Sequence, residues 1–304
     1  MSPAPASSLL RLRYRAAALA CACLVAVSVS ATHVAAQTRN FIWKASGTQG
    51  TVYLVGSVHM LTKDYYPLSA ALDQAFKESD LLVEELNLAE MLAPESQLAM
   101  LTRGMLPSGQ SLDAVISKAT FDLVSARANA LGLPVEPLKR FKPWALALML
   151  LGMEWQKAGF EPDLGLDKHF FDRATAEGKG VQGLETVAFQ ISRFDEMSMP
   201  DQDRLLRQSL TELETEKAAV TTMANAWRAG DVATIEKIVL QDVKSDPVMY
   251  RRLIVERNQN WLPRIQELFT RAKPAFVVVG AAHLIGPDGL LAMLRARGYT
   301  LVQL

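Results

Sequence analysis

Two stretches near opposite ends of the chain constrain its fold more than anything else in it. Val52-Tyr-Leu-Val-Gly-Ser-Val-His59 and Phe276-Val-Val-Val-Gly-Ala-Ala-His283 are both apolar runs that close in Gly-x-x-His. A run without polar alternation suits a strand covered on both faces, as in a parallel sheet beneath helices. Glycine at the end of such a strand lets the backbone turn sharply or approach a ligand. The imidazole three residues on then stands at the rim of the sheet, where open α/β sheets bind ligands.

The chain after each histidine also repeats. His59 leads through Pro67 into a helical stretch over 68–76 and a strand over 81–86. His283 leads through Pro287 into a helical stretch over 289–297 and a strand over 299–304. The pattern predicts an α/β fold. A mixed central sheet is flanked by helices, with two pseudo-repeated strand–Gly-x-x-His–helix–strand units and large helical insertions between them. If the units face each other, His59 and His283 converge.

The first 36 residues read as an address rather than as fold. Arg11, Arg13 and Arg15 precede a short apolar core over 16–29, and Val34-Ala35-Ala36 gives the small-residue pattern of a cleavage site. This is a secretory signal peptide in pattern, too short in its core for a comfortable membrane span. Cleavage removes Cys21 and Cys23 and leaves 29 basic residues against 32 acidic ones. The mature chain, 37–304, then has no thiolate ligand and no basic footprint for nucleic acid. Its length suits a single α/β domain, periplasmic or secreted, with no stable membrane span.

In chain order, 41–44 reads as an edge strand. The strand over 81–86 ends in Glu84-Glu85, which alternation places on opposite faces, so that at most one looks at the site. Residues 88–160 are mostly helical, and the stretch from Trp144 to Trp155 is apolar almost all round, as a core or lid helix would be. Asp167 and His169 fall near the start of another helix. Gly183-Leu-Glu-Thr186 closes a short strand, and 187–271 is a helical run containing Arg257-Asn258.

Two histidines with one or two glutamates at strand ends make an N/O ligand set that suits Mn, Fe, Co or Zn. A metal in an incomplete protein shell can bring bound water to a pKa near 7, and a remaining glutamate can carry the proton. The common alternatives are missing from the sequence: there is no Gly-x-Ser-x-Gly elbow, His-Glu-x-x-His or P-loop.

These residues resemble the TraB/GumN family, to which the animal Tiki proteins belong. The resemblance runs in order through Tyr53–His59, Leu82–Asn87, Gly183–Thr186, Ala226-Trp-Arg-Ala-Gly-Asp231, Glu256-Arg-Asn258 and Gly280–Gly289. It implies a fold like the erythromycin-esterase and haem-binding ChaN group, and a metal-dependent hydrolase site with peptidase activity as in the Tiki branch. By position it implies His59 and His283 as the two histidines, Glu85 and Glu185 as the glutamates, and Arg257-Asn258 as the Arg-Asn pair. The first motif has Gly-Ser-Val-His where Gly-Thr-x-His is commoner.

The expectation is therefore a metal-dependent hydrolase of peptides or small molecules. A divalent ion (Mn, Co or Zn) sits on His59 and His283 with Glu185 or Glu85, the other glutamate is the base, and Arg257 holds a carboxylate or oxyanion. The alternative is a non-catalytic binding protein for a peptide or haem-like ligand. The address is tested by intact mass: the exported protein should begin at Gln37 and titrate no free thiol, and a mass that retains 1–36 would refute the leader.

Overall fold

The computed structural model describes residues 39–304 except 213–215, 241–243 and 245. The leader expected over 1–36 lies outside the described residues. The rest is α/β, as the two repeated units predict. Six strands form one sheet in the order β4-β3-β5-β2-β1-β6: β1 (Ile42–Ser46), β2 (Thr51–Ser57), β3 (Leu81–Glu84), β4 (Gly180–Gly183), β5 (Ala275–Gly280) and β6 (Thr300–Gln303).

The two strands that carry Gly-x-x-His are neighbours. β2 and β5 pair in parallel, with Val55 opposite Val278 and Ser57 opposite Gly280. Almost every residue of both is buried, as their unbroken apolar sequence requires. β3 pairs in parallel with β5 on one side and β4 on the other. The carboxyl ends of β2, β3, β4 and β5 thus point the same way, and all four chemically interesting segments leave the sheet at one edge.

The repeat is real, but its two halves diverge. The helix Ala70–Glu78 carries the chain over β5 to β3, whereas the helix Leu290–Arg295 carries it past β2 and β1 to β6. β6 then pairs antiparallel with β1. The expectation that 41–44 forms an edge strand is corrected by this pairing: the last strand covers β1, a contact that no local pattern announces.

Three packed groups support the site. The main core includes Phe76, Phe170 and Phe276, whose rings meet edge-on and tilted between helix and sheet. A second core takes no residue from the sheet, with Leu146 and Leu150 of the helix Pro143–Lys157 meeting Leu206 and Leu210. Only one side of that helix is buried, and Leu148 is 43% exposed. A small group of Leu86, Trp144, Val187 and Ile191 joins this insertion to the exit of β3. Among the described residues no helix is long and apolar enough to cross a membrane.

Two close approaches lock the end of β2. Trp227 Nε1 donates to the Gly56 carbonyl at 2.7 Å. Gly165 lies so near the chain that a Cβ there would stand 2.1 Å from the His59 carbonyl oxygen. Gly165→Ala should therefore cost about 1–3 kcal/mol in a urea melt. Gly152→Ala, in mid-helix with nothing within 4 Å, should instead add about 0.5–1 kcal/mol. Equal effects would show that the Gly165 contact is not tight.

Candidate functional site

His59 leaves β2 at the mouth of a cleft of about 460 Å³. The close packing of Gly165 on the His59 backbone sets the start of the helix Leu166–Ala176 beside it, with Leu166 N donating to the Val58 carbonyl. That placement brings Asp167 against the imidazole. Asp167 Oδ2 is 2.9 Å from His59 Nδ1, and Ser57 Oγ donates to Asp167 Oδ1 at 2.9 Å. The hydroxyl of the first motif, Ser here, thus holds the carboxylate that holds the histidine. Asp167 raises the His59 pKa to about 9, against the opposing effect of burial. The side chain is 62% exposed to the cleft, so water screens the pair. Its main effect is orientation: with Nδ1–H on Asp167, Nε2 faces inward.

His283 is oriented by a different device. Asn258 Nδ2 donates to the carbonyls of His283 (3.1 Å) and Asp288 (2.9 Å). This leaves Asn258 Oδ1 to accept from His283 Nδ1–H at 2.8 Å. His283 Nε2 then carries a lone pair and accepts from Arg257 Nη1 at 3.0 Å. Burial, with help from the Arg257 charge, lowers the His283 pKa to about 3 against the pull of Glu85, so the ring is neutral at pH 7.

Arg257 is the centre of a buried ion cluster. Its Nη2 donates to Glu85 Oε2 at 2.5 Å and to Glu185 Oε1 at 2.8 Å, and its Nε reaches both Glu185 oxygens. Trp261 Nε1 donates to Glu185 Oε2 at 2.8 Å, and Gly280 N donates to Glu85 Oε1 at 2.7 Å. Burial alone would raise the Glu85 pKa, but Arg257, His283 and His59 together hold it well below the usual carboxylate range. Glu185 is shifted up, because burial and repulsion from Glu85 outweigh its bonds to Arg257 and Trp261. One guanidinium cannot fully compensate two carboxylates, and Glu85 has the larger share.

The expected residues do come together. A Cβ on Gly280 would lie 3.2 Å from Glu85 Oε1, 3.5 Å from His59 Nε2 and 3.7 Å from His283 Cδ2. The second motif's glycine therefore makes room for the three groups to meet. Glu185 is in the cluster but behind Arg257, with its oxygens engaged by Arg257 and Trp261. His169 is elsewhere, its ring 5.1 Å from Tyr66 and 5.1 Å from Phe170.

The strand β3 ends at Glu84, one residue before Glu85. Alternation does not extend across that end, and Glu84 and Glu85 both line the cleft, which corrects the expectation that only one would. Glu84 is 2% exposed, and neither carboxylate oxygen has a hydrogen-bond partner among the described residues. Burial, then the nearby Asp167 charge, raises its pKa to about 9. The Leu88 backbone amide pulls the other way without reaching hydrogen-bond geometry.

Each Nδ1 is fixed by an acceptor, the usual outer-shell arrangement of a metal-ligating histidine, and His59 turns Nε2 inward, but with its pKa raised to about 9 His59 has to release a proton to bind an ion. Glu185 does not fit as the third ligand, and Arg257 competes for the His283 lone pair. Among the described residues no three His, Asp or Glu side chains stand together at metal-ligand spacing. Sequence reasoning missed Asp167, Ser57, Gln190 and Trp261. An acid just inside a helix that opens with Gly165 was the one available signal for Asp167. Gln190 Nε2 donates to Glu85 Oε2 at 3.3 Å, a contact with no sequence signature.

Comparison with known proteins places most of the chain in one family. The profile of the TraB/PrgY/gumN family matches residues 41–303. The chain is similar to the uncharacterized protein YbaP of Escherichia coli (strain K12), 27% identical over 247 residues, which covers 80% of this chain and 87% of YbaP. It is also similar to an uncharacterized protein of Treponema pallidum (strain Nichols), 21% identical over 271 residues, with 84% and 80% of the two chains covered. No solved structure matches it.

Glu84 yields a pH test. Its folded pKa of about 9 lies above the unfolded value of 4.5, so its contribution is fully present below the unfolded value and is lost as pH rises toward the folded one. Glu84→Gln removes that loss. Between pH 5 and pH 8 the variant should gain at least ~1 kcal/mol relative to wild type in urea midpoints; parallel pH curves would show that Glu84 is hydrated or paired.

Proposed function

The chain belongs to the TraB/PrgY/gumN family, and from that membership and the site geometry we propose that it is a metal-dependent hydrolase acting on peptide bonds. One observation carries the reading: His59 Nε2, Glu85 Oε1 and the His283 ring surround a single point over Gly280, and His59 and Glu85 also line the cleft. His59 and His283 would hold the ion, which when bound supplies Lewis acidity and a more acidic water.

The chain's own groups divide the remaining work. Asp167 orients the His59 ring so that Nε2 faces inward, and Asn258 keeps the neutral His283 in the tautomer with its lone pair on Nε2. Glu85 is fixed by the Gly280 amide and Arg257, and its low pKa suits it to accept the hydrogen bond that aims a water. Arg257 places a fixed positive charge beside this group, where negative charge develops on a carbonyl oxygen under attack. Glu185 and Trp261 anchor Arg257 rather than touch substrate.

The cleft also favours a second reading. His59 stands beside Met60, Leu86, Leu88 and Met91, an apolar slot with one histidine such as a haem-like ligand requires. Sequestration without turnover would follow, in the periplasm or outside the cell as for the hydrolase.

Thermal melts with Mn, Co or Zn separate the two. Metal should raise the wild-type melting temperature by mass action. His59→Ala and His283→Ala should each abolish most of that rise, and His169→Ala should keep it. Asp167→Asn should weaken metal retention about 10–100-fold. Peptide cleavage should stop in EDTA and return with metal. A Soret band in the purified protein, with no cleavage, would replace the hydrolase by the binding protein. Cleavage that survives EDTA but not His59→Ala would give the base role to His59 and Asp167 alone.

A further inference from the structure

Glu84 is a buried carboxylate of the cleft that has no partner among the described residues. Glu85 is bound to Arg257, and Asp167 to His59 and Ser57. Glu84 has the deepest position of the three, 2% exposed, and yet neither of its oxygens receives a hydrogen bond. A buried polar group left bare is costly, and proteins retain few of them without a use. Its neighbours decide what could satisfy it. Asp167 and Glu85 put negative charge on the same cleft, whereas their cationic partners are already committed to them. Next to this acidic end, Leu86, Leu88, Met91 and Leu92 form an apolar wall, and Leu92 is 51% exposed.

Deepening the hydrolase reading, on which its link to peptides rests, we propose that the cleft recognises a primary amine attached to a branched apolar group. Glu84, neutral before binding, loses its proton to solvent as the ammonium docks and then accepts from it, and the Leu86–Leu92 wall takes the apolar group. In a peptide that combination is a free amino terminus on a leucine-like residue. Binding places the amine deep at the end of β3 and the first peptide group toward His59 and Glu85. Glu84 makes no covalent bond to the substrate in this role. It selects the substrate, and an acetylated terminus would leave it bare.

The test uses 3-methylbutylamine as probe, with methylamine (charge without the apolar group) and 3-methylbutanol (shape without the charge) as fragments, titrated calorimetrically into the purified protein at pH 7. The amine should bind at least about tenfold tighter than either fragment, and Glu84→Gln should lose at least about tenfold in affinity. Leu92→Ser, at an exposed position, should narrow the gap between 3-methylbutylamine and methylamine. A urea melt of Glu84→Gln confirms that the variant is folded. Equal binding of alcohol and amine, unchanged affinity in folded Glu84→Gln, or no binding of the amine would each overturn the proposal. Cleavage assays separate it from the hydrolase reading. Peptides cut equally well with free and acetylated termini would remove amine selection alone. Amine binding lost in Glu84→Gln, with no peptide cut, would remove the hydrolase and leave the subsite.

Discussion

The arrangement of the candidate site depends on a guanidinium buried between two carboxylates. Arg257 is 7% exposed, and Glu85 and Glu185 are each 8% exposed. None of the three could be buried alone, since an uncompensated charge in such surroundings costs several kcal/mol. Together they tie the exit of β3, the exit of β4 and the helix Glu256–Leu268 to one another. His283 joins through its bond to Arg257, and the Gly280 amide through Glu85. Breaking such a cluster by removing one member costs about 3–5 kcal/mol in comparable cases. The cluster is thus both a structural fastener and a concentration of charge beside the cleft, and it shifts the two carboxylates in opposite directions, Glu85 down and Glu185 up.

Around this cluster the histidines differ in setting. His59 faces the cleft, backed by a carboxylate that favours its charged form; His283 is enclosed, backed by an amide that leaves it neutral. Two copies of one short motif therefore give two imidazoles of different basicity. The difference arises from the element behind each ring, the helix Leu166–Ala176 in one case and the helix Glu256–Leu268 in the other.

Much of this was legible in the sequence because it depends on local pattern. Unbroken apolar runs marked β2 and β5 as doubly covered strands, and the shared Gly-x-x-His ending put His59 and His283 at one edge. Arg257-Asn258 was legible as a pair, though not as one residue on the carboxylates and the other on His283. What escaped depends on contacts between distant segments. Asp167 reaches His59 only because Gly165 lets one backbone approach another. Glu84 shares the cleft with Glu85 because β3 stops one residue early, and a strand's end is where period-two reasoning fails. β1 is interior because β6 returns from the far end of the chain. Glu185 was read as a ligand or base, yet it anchors Arg257; no spacing rule distinguishes a glutamate that meets a metal from one that meets an arginine.

The pairing of β2 with β5 has a kinetic side. Val55 and Val278 are neighbours in the sheet, so the central ladder closes a loop of most of the chain. Such contacts come at a high entropic cost before they return any energy, and chains rich in them fold slowly. Everything that meets over Gly280 waits for this closure. A nascent chain that has already made β2, β3 and β4 still holds no assembled centre, because half of it arrives with β5. The candidate site therefore stays incomplete through most of synthesis, and the same topology that brings its side chains together sets when they first meet.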